Sequence, residues 1–409
     1  MQSRTQSKVE HPAKQSKNQS IQQRIPWWKD LDPAVYAELQ LPPVREVSLQ
    51  SVDVVVIGGG VAGLSAALAI KKRDAAVRVL VLEKEDMLGY GATGQNAGIF
   101  TPGINMAMSE LPSDSFALAF YPETTALFHA LIEEGQTPGT LLYARKTGAI
   151  NMATSKRAAL KLERETYIRG RAGLHAELWT PVQVAQATQG RLNTGSVVNA
   201  MWLSDEGRIH PLTLLAHLAQ QARSTYNVVI AGQAQVMQYE PTLAPDPWWQ
   251  VTMADGTTFQ ARALVNCVGP IVGANARIYA LAFAADFPEN FPLFWDASPY
   301  TYADYRPGHG RLGVSGGRYG KAGFTANDAA YHQRLADVTR RWVPELAGKR
   351  PTYKWAVDLA VKAEMIPHVR VLGESAPGVA IEGLGAHGVL PGMILAQQAA
   401  EYIFDRLAH

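Results

Sequence analysis

The stretch from Ser51 to Lys84, SVDVVVIGGGVAGLSAALAIKKRDAAVRVLVLEK, constrains this chain more than any other, because it reads as a complete strand–helix–strand unit that grips a dinucleotide. Val52 and Val54 to Ile57 make a strand without a polar face, as expected of one buried in a parallel sheet. Gly58-x-Gly60-x-x-Gly63 follows. The first glycine permits the tight turn out of the strand, the second lets backbone approach a pyrophosphate, and the third lets the helix pack closely on the strand. The helix is expected from about Val61 to Lys72, with its first amides, at Val61 and Ala62, and its dipole facing the phosphates, so the loop needs no cation. A second strand, 77–82, ends at Glu83-Lys84, where the Glu83 carboxylate can accept both ribose hydroxyls and would repel a 2′-phosphate. Glycine-rich turns also arise for structural reasons alone; the buried strand before, the helix after and the acid ending the next strand mark this one as a cofactor site. The unit by itself leaves nicotinamide and flavin dinucleotides both open.

At 409 residues the chain can hold two or three domain-sized units, and 47% hydrophobic with 18% charged residues is ordinary for a globular enzyme. No apolar run approaches the roughly 20 residues that span a bilayer, and no signal-peptide pattern opens the chain, so a cytoplasmic protein is expected. The single cysteine, Cys267, excludes a disulfide framework and a cysteine-rich metal site, which leaves redox chemistry to a bound cofactor. Residues 1–25, rich in Gln, Ser and Lys, carry Arg4, Lys8, Lys14, Lys17 and Arg24 against Glu10 and are expected to be a disordered tail. The body is then slightly acidic, and nucleic-acid binding is not expected. Trp27 and Trp28 are expected to pin the start of the ordered chain onto the body. No metal-ligand spacing, Ser-His-Asp arrangement, P-loop or repeat gives the hydrolases a foothold.

Residues 87–100, MLGYGATGQNAGIF, are dense in glycine and small polar residues without helical or strand period, a composition that lets backbone amides touch a planar polar ligand. Residues 109–189 read as inserted material with helices near 115–134 and 155–172. A helix over 211–223, strands at 227–230 and 233–239, and a hairpin turning at Ala254-Asp255-Gly256 lead to a second buried strand, 263–268, that ends at Gly269-Pro270. Residues 300–305 and 311–315 alternate as antiparallel strands and 327–342 has a helical period, together forming a second domain built on a sheet. The C-terminus repeats the design of the N-terminus: a buried strand at 379–382, the turn Gly383-Leu384-Gly385-Ala386-His387-Gly388, and a long helix over 389–407.

Four blocks in this order carry a resemblance: VVVIGGGVAGLSAA with LVLEK, GYGATGQNAGIF, ALVNCVGP, and AIEGLGAHGVLPGMILAQQAAEYI. Together they resemble the D-amino-acid oxidase superfamily of FAD-dependent amine and amino-acid oxidoreductases, which includes sarcosine, glycine and γ-glutamylputrescine oxidases, over the chain from about Pro26 to its end. The resemblance implies an α/β fold (α+β overall), with a Rossmann-like FAD-binding domain of 26–108, 190–275 and 355–409 and a discontinuous, sheet-based substrate domain of 109–189 and 276–354. It implies that Gly58, Gly60 and Gly63 hold the pyrophosphate and Glu83 the adenosine ribose, and that Gly91, Ala92, Thr93, Gly94, Asn96 and Ala97 run from the pyrophosphate to the isoalloxazine edge. Val236 would contact the adenine side through its backbone, and Gly269 would end the strand beneath the cofactor. Gly385, Gly388, Val389 and Leu390 would face the flavin's pyrimidine end, where a helix N-terminus stabilises the negative charge of the reduced ring. Because Cys267 lies on the earlier strand and not in the C-terminal third, where some sarcosine oxidases attach the flavin, FAD is expected to be noncovalent unless a histidine is used. Relatives often have Trp-Gly-Gly where this chain has Trp355-Ala356-Val357, and a basic residue before the following proline where it has Met365; both changes fall near the expected active-site wall.

Lys321, in Gly316-Gly317-Arg318-Tyr319-Gly320-Lys321, resembles the position of a lysine that promotes oxygen reaction over the flavin, with a solvated loop lysine as the alternative. Arg318 and Tyr319 are candidate partners of a substrate carboxylate, and Tyr300 and Tyr302 could line the same sheet face, against ordinary packing or surface placement for each. His387 is expected beside the flavin; His210 and His368 are expected to be structural. The expected reaction is oxidation of a C–N bond in an amine or amino acid to an imine by hydride transfer to flavin N5, with oxygen or an electron carrier as acceptor. Oxidation of a 2-hydroxy acid or polyol phosphate, and a non-catalytic flavin-fold binding protein, are the alternatives.

Overall fold

A computed structural model describes residues 21–29, 31–47, 52–242, 248–296, 303–361, 366–373 and 375–407. Tyr300, Tyr302, Met365 and the first twenty residues of the expected tail lie outside the described residues.

The first strand, Val52–Ile57, is flanked on both sides by parallel partners, Val79–Leu82 and Thr258–Asn266. Val229–Ala231 extends the parallel run on one side and Gly378–Glu382 on the other. This arrangement explains the uniformly apolar sequence: Val54 and Val56 face one core and Val55 and Ile57 another, so neither set meets water. The Val54 face is covered by the helices Val61–Arg73, Pro211–Gln220 and Val389–Leu407; the Val55 face packs with Trp249, Val251 and Phe259. The second arm of the expected hairpin and the buried strand after it prove to be one element. Thr258–Asn266 pairs antiparallel with Trp249–Met253 through its first half and parallel with Gly378–Glu382 through its last three residues.

A second sheet of nine strands is mostly antiparallel, with Ala276–Ala284 paired to Arg311–Gly316 on one side and to Tyr353–Leu359 on the other. Tyr279, Leu281 and Phe283 point into a core closed by the helix Asp328–Trp342, and Ala280 points to the first core. Arg277 fixes the start of that helix, holding Asp328 at 2.9 and 2.8 Å with two nitrogens and Asp358 at 2.9 Å with a third.

The sheets divide the chain differently from the expected boundaries. Asn199–Leu203 and Tyr353–Leu359, placed by sequence mainly with the cofactor domain, are strands of the second sheet, because their pairing partners Ala149–Ala153 and Ala276–Ala284 lie there. Phe120–Glu134, expected in the second domain, packs on the C-terminal helix and joins the first core. The tail also ends earlier than expected: residues 21–24 are helical, Ile21 and Ile25 are buried, and Gln22 Nε2 donates to Tyr90 Oη at 2.7 Å. Trp28 is buried against Tyr90 and Trp27 Nε1 donates to the Asn96 carbonyl at 2.7 Å, so the indoles pin this segment onto the 87–100 loop. Among the described residues no helix is long and apolar enough to cross a membrane.

His210 caps Pro211–Gln220, its Nδ1 accepting from the Thr213 N–H at 3.3 Å. Burial, and then the neighbouring His309, push its pKa down to about 3 from 6.5. A depressed histidine pKa contributes stability that is complete above the unfolded value and is lost as pH falls toward the folded one. Chemical denaturation between about pH 7 and pH 4 should therefore show the protein losing stability on acidification, and His210→Asn, which keeps a capping acceptor, should flatten that loss. An unchanged pH slope in the variant would remove His210 from the account.

Candidate functional site

A cleft of about 450 Å³ runs along the C-terminal ends of the parallel strands. Two matching backbone crossings shape it. Gly58 turns at φ +106° with no room for a side chain, since a Cβ there would stand 2.5 Å from the Cys267 carbonyl oxygen. Five residues on, a Cβ at Gly63 would stand 1.9 Å from the carbonyl oxygen of Gly58, so the helix can pass only as glycine. Gly89 and Gly94 repeat this: Gly89 has φ +94° and a Cβ at Gly94 would lie 2.0 Å from its carbonyl oxygen. Each crossing delivers a helix start to the cleft, at Val61 and at Ala92, and the Thr93 hydroxyl accepts from the Val61 N–H at 3.3 Å, joining the two.

At one end of the cleft Glu83 accepts from the N–H groups of Gly59 at 2.9 Å and Glu85 at 3.2 Å. Burial pushes its carboxyl pKa up, and those two bonds oppose the shift. Lys84 and Val236 line the same end. At the other end Trp355 Nε1 donates to the Gln95 carbonyl at 2.9 Å, and the turn before the C-terminal helix contributes Gly385, His387, Gly388 and Val389. His387 Nε2 lies 2.6 Å from Thr101 Oγ1 and 3.0 Å from the Thr101 carbonyl oxygen, which places the ring proton on that nitrogen. Burial lowers its pKa against the opposing pull of the Thr101 carbonyl, and the ring is neutral at pH 7.

The structure therefore brings most of the expected cofactor residues to one cleft. Gly58, Gly60, Val61 and Ala62 line it beside Gly91, Ala92, Thr93, Asn96 and Ala97, and Gly269 lines it too. Gly63, Gly94 and Leu390 stand behind the wall, where they set the backbone approach without facing the cleft. Of the catalytic candidates, Tyr319 and His387 line the cleft. Arg318 and Lys321 do not: both are exposed, because the turn at Gly316-Gly317 and the short pairing of Gly320–Lys321 with Ala276 and Arg277 carry them outside it.

Sequence reasoning placed Trp355 and Val357 near the active-site wall but passed over Ile278, Ala280 and Leu359 beside them. Ile278 and Ala280 face the cleft with Val357, Leu359 and Trp355, and Thr101 was not singled out as the partner of His387. The signal in 276–284 was one of size, with Ala276, Ile278, Ala280 and Ala282 alternating with Tyr279, Leu281 and Phe283.

The cleft suits a dinucleotide on its own geometry. A Cβ at Gly91 would meet nothing within 4 Å, so its lack of a side chain leaves open space where backbone amides of two helix starts converge. Among the described residues no cluster of His, Cys, Asp or Glu could hold a metal. Cys267 is buried at the floor, and burial pushes its thiol up to about 12, out of reach of thiolate chemistry at neutral pH.

The family model for FAD dependent oxidoreductases matches residues 53–402. Glycine oxidase of Geobacillus kaustophilus (strain HTA426) is 30% identical over 223 residues, 53% of this chain and 54% of that protein. FAD-dependent oxidoreductase domain-containing protein 1 of Bos taurus is 30% identical over 194 residues, 46% of this chain and 37% of that protein. The chain thus spans about half the length, or less, of these curated relatives. Mitochondrial L-2-hydroxyglutarate dehydrogenase of Bos taurus is 45% identical over 60 residues, 15% of this chain and 13% of that protein. Among solved structures, L-proline dehydrogenase from P. horikoshii superposes with a TM-score of 0.72 at 18% identity, covering 90% of this chain and 95% of that one. Glycine oxidase from Geobacillus kaustophilus does so with 0.70 at 20% identity, covering 86% and 94%. At such identities the likeness is one of fold.

Gly63→Ala should force the helix off the Gly58 carbonyl, costing about 1–3 kcal/mol of stability and most of the bound FAD. Denaturant midpoints and flavin absorbance per polypeptide measure the two effects, and full FAD retention would contradict the crossing as the determinant of the cleft.

Proposed function

The chain belongs to the family of FAD dependent oxidoreductases, and from that membership we propose that it oxidises a carbon–nitrogen bond of an amine or amino acid to the imine. The observation that carries this reading is the apolar lining of Ile278, Ala280, Val357 and Leu359, with Trp355 joining it to the Gln95 carbonyl. Such a wall excludes water from whatever lies against it, and desolvation lowers an amine's pKa, favouring the neutral form whose lone pair can assist loss of the α-hydrogen. No strong base is then required of the protein, whose part is to position and dry the substrate.

FAD, when bound, supplies the electron acceptor. In this proposal Glu83 holds its ribose, the amides at Gly60 to Ala62 and at Ala92 and Thr93 its pyrophosphate, and the Gly388-Val389 helix start the polar edge of its ring. In this proposal the cofactor is held noncovalently, the Cys267 thiol being buried and protonated at neutral pH. Tyr319, at the mouth and 39% exposed, borders the substrate's entry. Arg318 and Lys321, outside the cleft, have no part in it.

A 2-hydroxy acid in the same place would have to give its hydroxyl proton to a base. His387 is the imidazole of the cleft; with its proton on Nε2, toward Thr101, Nδ1 keeps its lone pair and is the atom that would have to accept that proton. The hydroxy-acid reading suggested by the short dehydrogenase match thus calls on a base, whereas the amine reading calls on none.

Anaerobic mixing of the FAD-loaded chain with a panel of amines and amino acids should bleach the oxidised flavin band, while 2-hydroxy acids and glycerol phosphate leave it intact. Bleaching by hydroxy acids alone would overturn the proposal, and a purified chain that takes up no FAD would point to a non-catalytic protein. Prompt return of the band on admitting air identifies oxygen as the acceptor; persistence of the bleached form identifies an electron carrier.

A further inference from the structure

The strand Ala276–Ala284 turns Ile278 and Ala280 to the cleft, and its neighbour Tyr353–Leu359 turns Trp355, Val357 and Leu359 to the same space. The two strands pair antiparallel with Ile278 opposite Val357 and Ala280 opposite Trp355, so these side chains share one face of the sheet. Residues so opposed stand about 5 Å apart, close enough to form one continuous apolar patch. On the other side of the strand, Ser315 of Arg311–Gly316 is paired with Ala280 and also borders the cleft. A row of Trp355, Ala280 and Ser315 thus crosses three strands, and Ser315 is its polar member.

Charge is distributed unevenly along the cleft. Among the described residues that border it, the charged side chains are Glu83 and Lys84. Both follow the Val79–Leu82 strand, at the end assigned to the ribose. Elsewhere the polar side chains are neutral: Ser315 in the row above, Asn105, which shares a small side pocket with His387, and His387 itself, whose pKa burial lowers. Arg318 and Lys321 are exposed and do not border the cleft, and Arg306 and Arg311 line a different cavity.

An amine and a carboxylate respond to such a wall in opposite ways. An ammonium group gives up its charge by releasing a proton, and desolvation favours that release, leaving the neutral amine. The α-carboxylate of an amino acid must either carry its charge into apolar contact or take up a proton against a pKa far below 7. The wall that readies the nitrogen for oxidation therefore opposes a carboxylate that finds no cation beside it. We propose that the substrate is an amine bearing an apolar substituent and no carboxylate, and that the patch formed by Ile278, Ala280, Trp355, Val357 and Leu359 selects it by desolvation. On the carbon–nitrogen reading above, on which this rests, the α-carbon gives a hydride to the flavin and the nitrogen gives a proton to solvent, so that the amine leaves as the imine.

The test is anaerobic stopped-flow mixing of the FAD-loaded full chain with matched pairs that differ only in the carboxylate: pentylamine against norleucine, and benzylamine against phenylglycine, with both enantiomers of each amino acid. In at least one pair the amine should bleach the flavin band about tenfold faster, or more, than either enantiomer of its amino acid at equal concentration. Val357→Arg, which sets a cation in the partly buried part of the wall, should raise the rate with the amino acid and lower that with the amine. Equal rates, or faster bleaching by the amino acids, overturn the proposal and leave the carbon–nitrogen reading standing. Bleaching by neither member of either pair overturns it as well, and the wider panel of amines and amino acids then decides the carbon–nitrogen reading by itself. A Val357→Arg chain that binds FAD and keeps the original preference removes the wall as the selecting element and overturns the proposal; if that variant takes up no FAD, the pairs on the unaltered chain decide.

Discussion

The rest of the structure depends on one close passage of backbone over backbone, where the helix beginning at Val61 runs so near the Gly58 carbonyl that even a methyl group at Gly63 would lie 1.9 Å from it. That passage sets the seat of the helix on the parallel sheet and brings its free amides to the end of the first strand. The Gly89 and Gly94 pair makes the same passage from the other side. Two helix starts therefore converge, tied by Thr93, and an anionic cofactor can be held by backbone dipoles with no cation in the loop. Sequence changes elsewhere in the cleft can alter what is bound; a side chain at either crossing alters whether there is a cleft.

How much of this could be read from sequence varied with the kind of signal. The first strand was legible because both its faces are buried, which no polar residue in Val54 to Ile57 contradicts. The C-terminal helix was legible to the residue, Val389–Leu407, since a glycine-rich turn precedes it and its apolar period is unbroken. The Ala276–Ala284 strand was not, because past Arg277 its two faces differ in bulk more than in polarity: Ile278 and Ala280 meet a ligand cleft, and Tyr279, Leu281 and Phe283 meet a core. Thr258–Asn266 was read as two pieces because it changes neighbours midway, half-exposed while paired antiparallel and fully covered once it enters the parallel sheet.

Within the site, residues carried by the backbone turns were found and those depending on distant partners were not. His387 stood out beside its glycines, but Thr101, which orients it, is 286 residues away. Arg318 and Lys321 show the converse failure: a local motif named them, yet which side of the sheet edge they leave from is decided by Gly316-Gly317 and by pairing to Ala276 and Arg277. Ile21 and Ile25 illustrate composition overruled by tertiary burial, two apolar residues in a polar segment sufficing to draw it onto the body.

Cys267 sits beneath all of this, its carbonyl against Gly58 and its thiol buried at the edge of the cleft with a pKa pushed up to about 12. A chain with one cysteine so placed carries its own gauge of the cleft. An alkylating reagent has a route to that sulfur through the cleft it lines, so the labelling rate reports how open the cleft is, and a ligand that fills the cleft slows it.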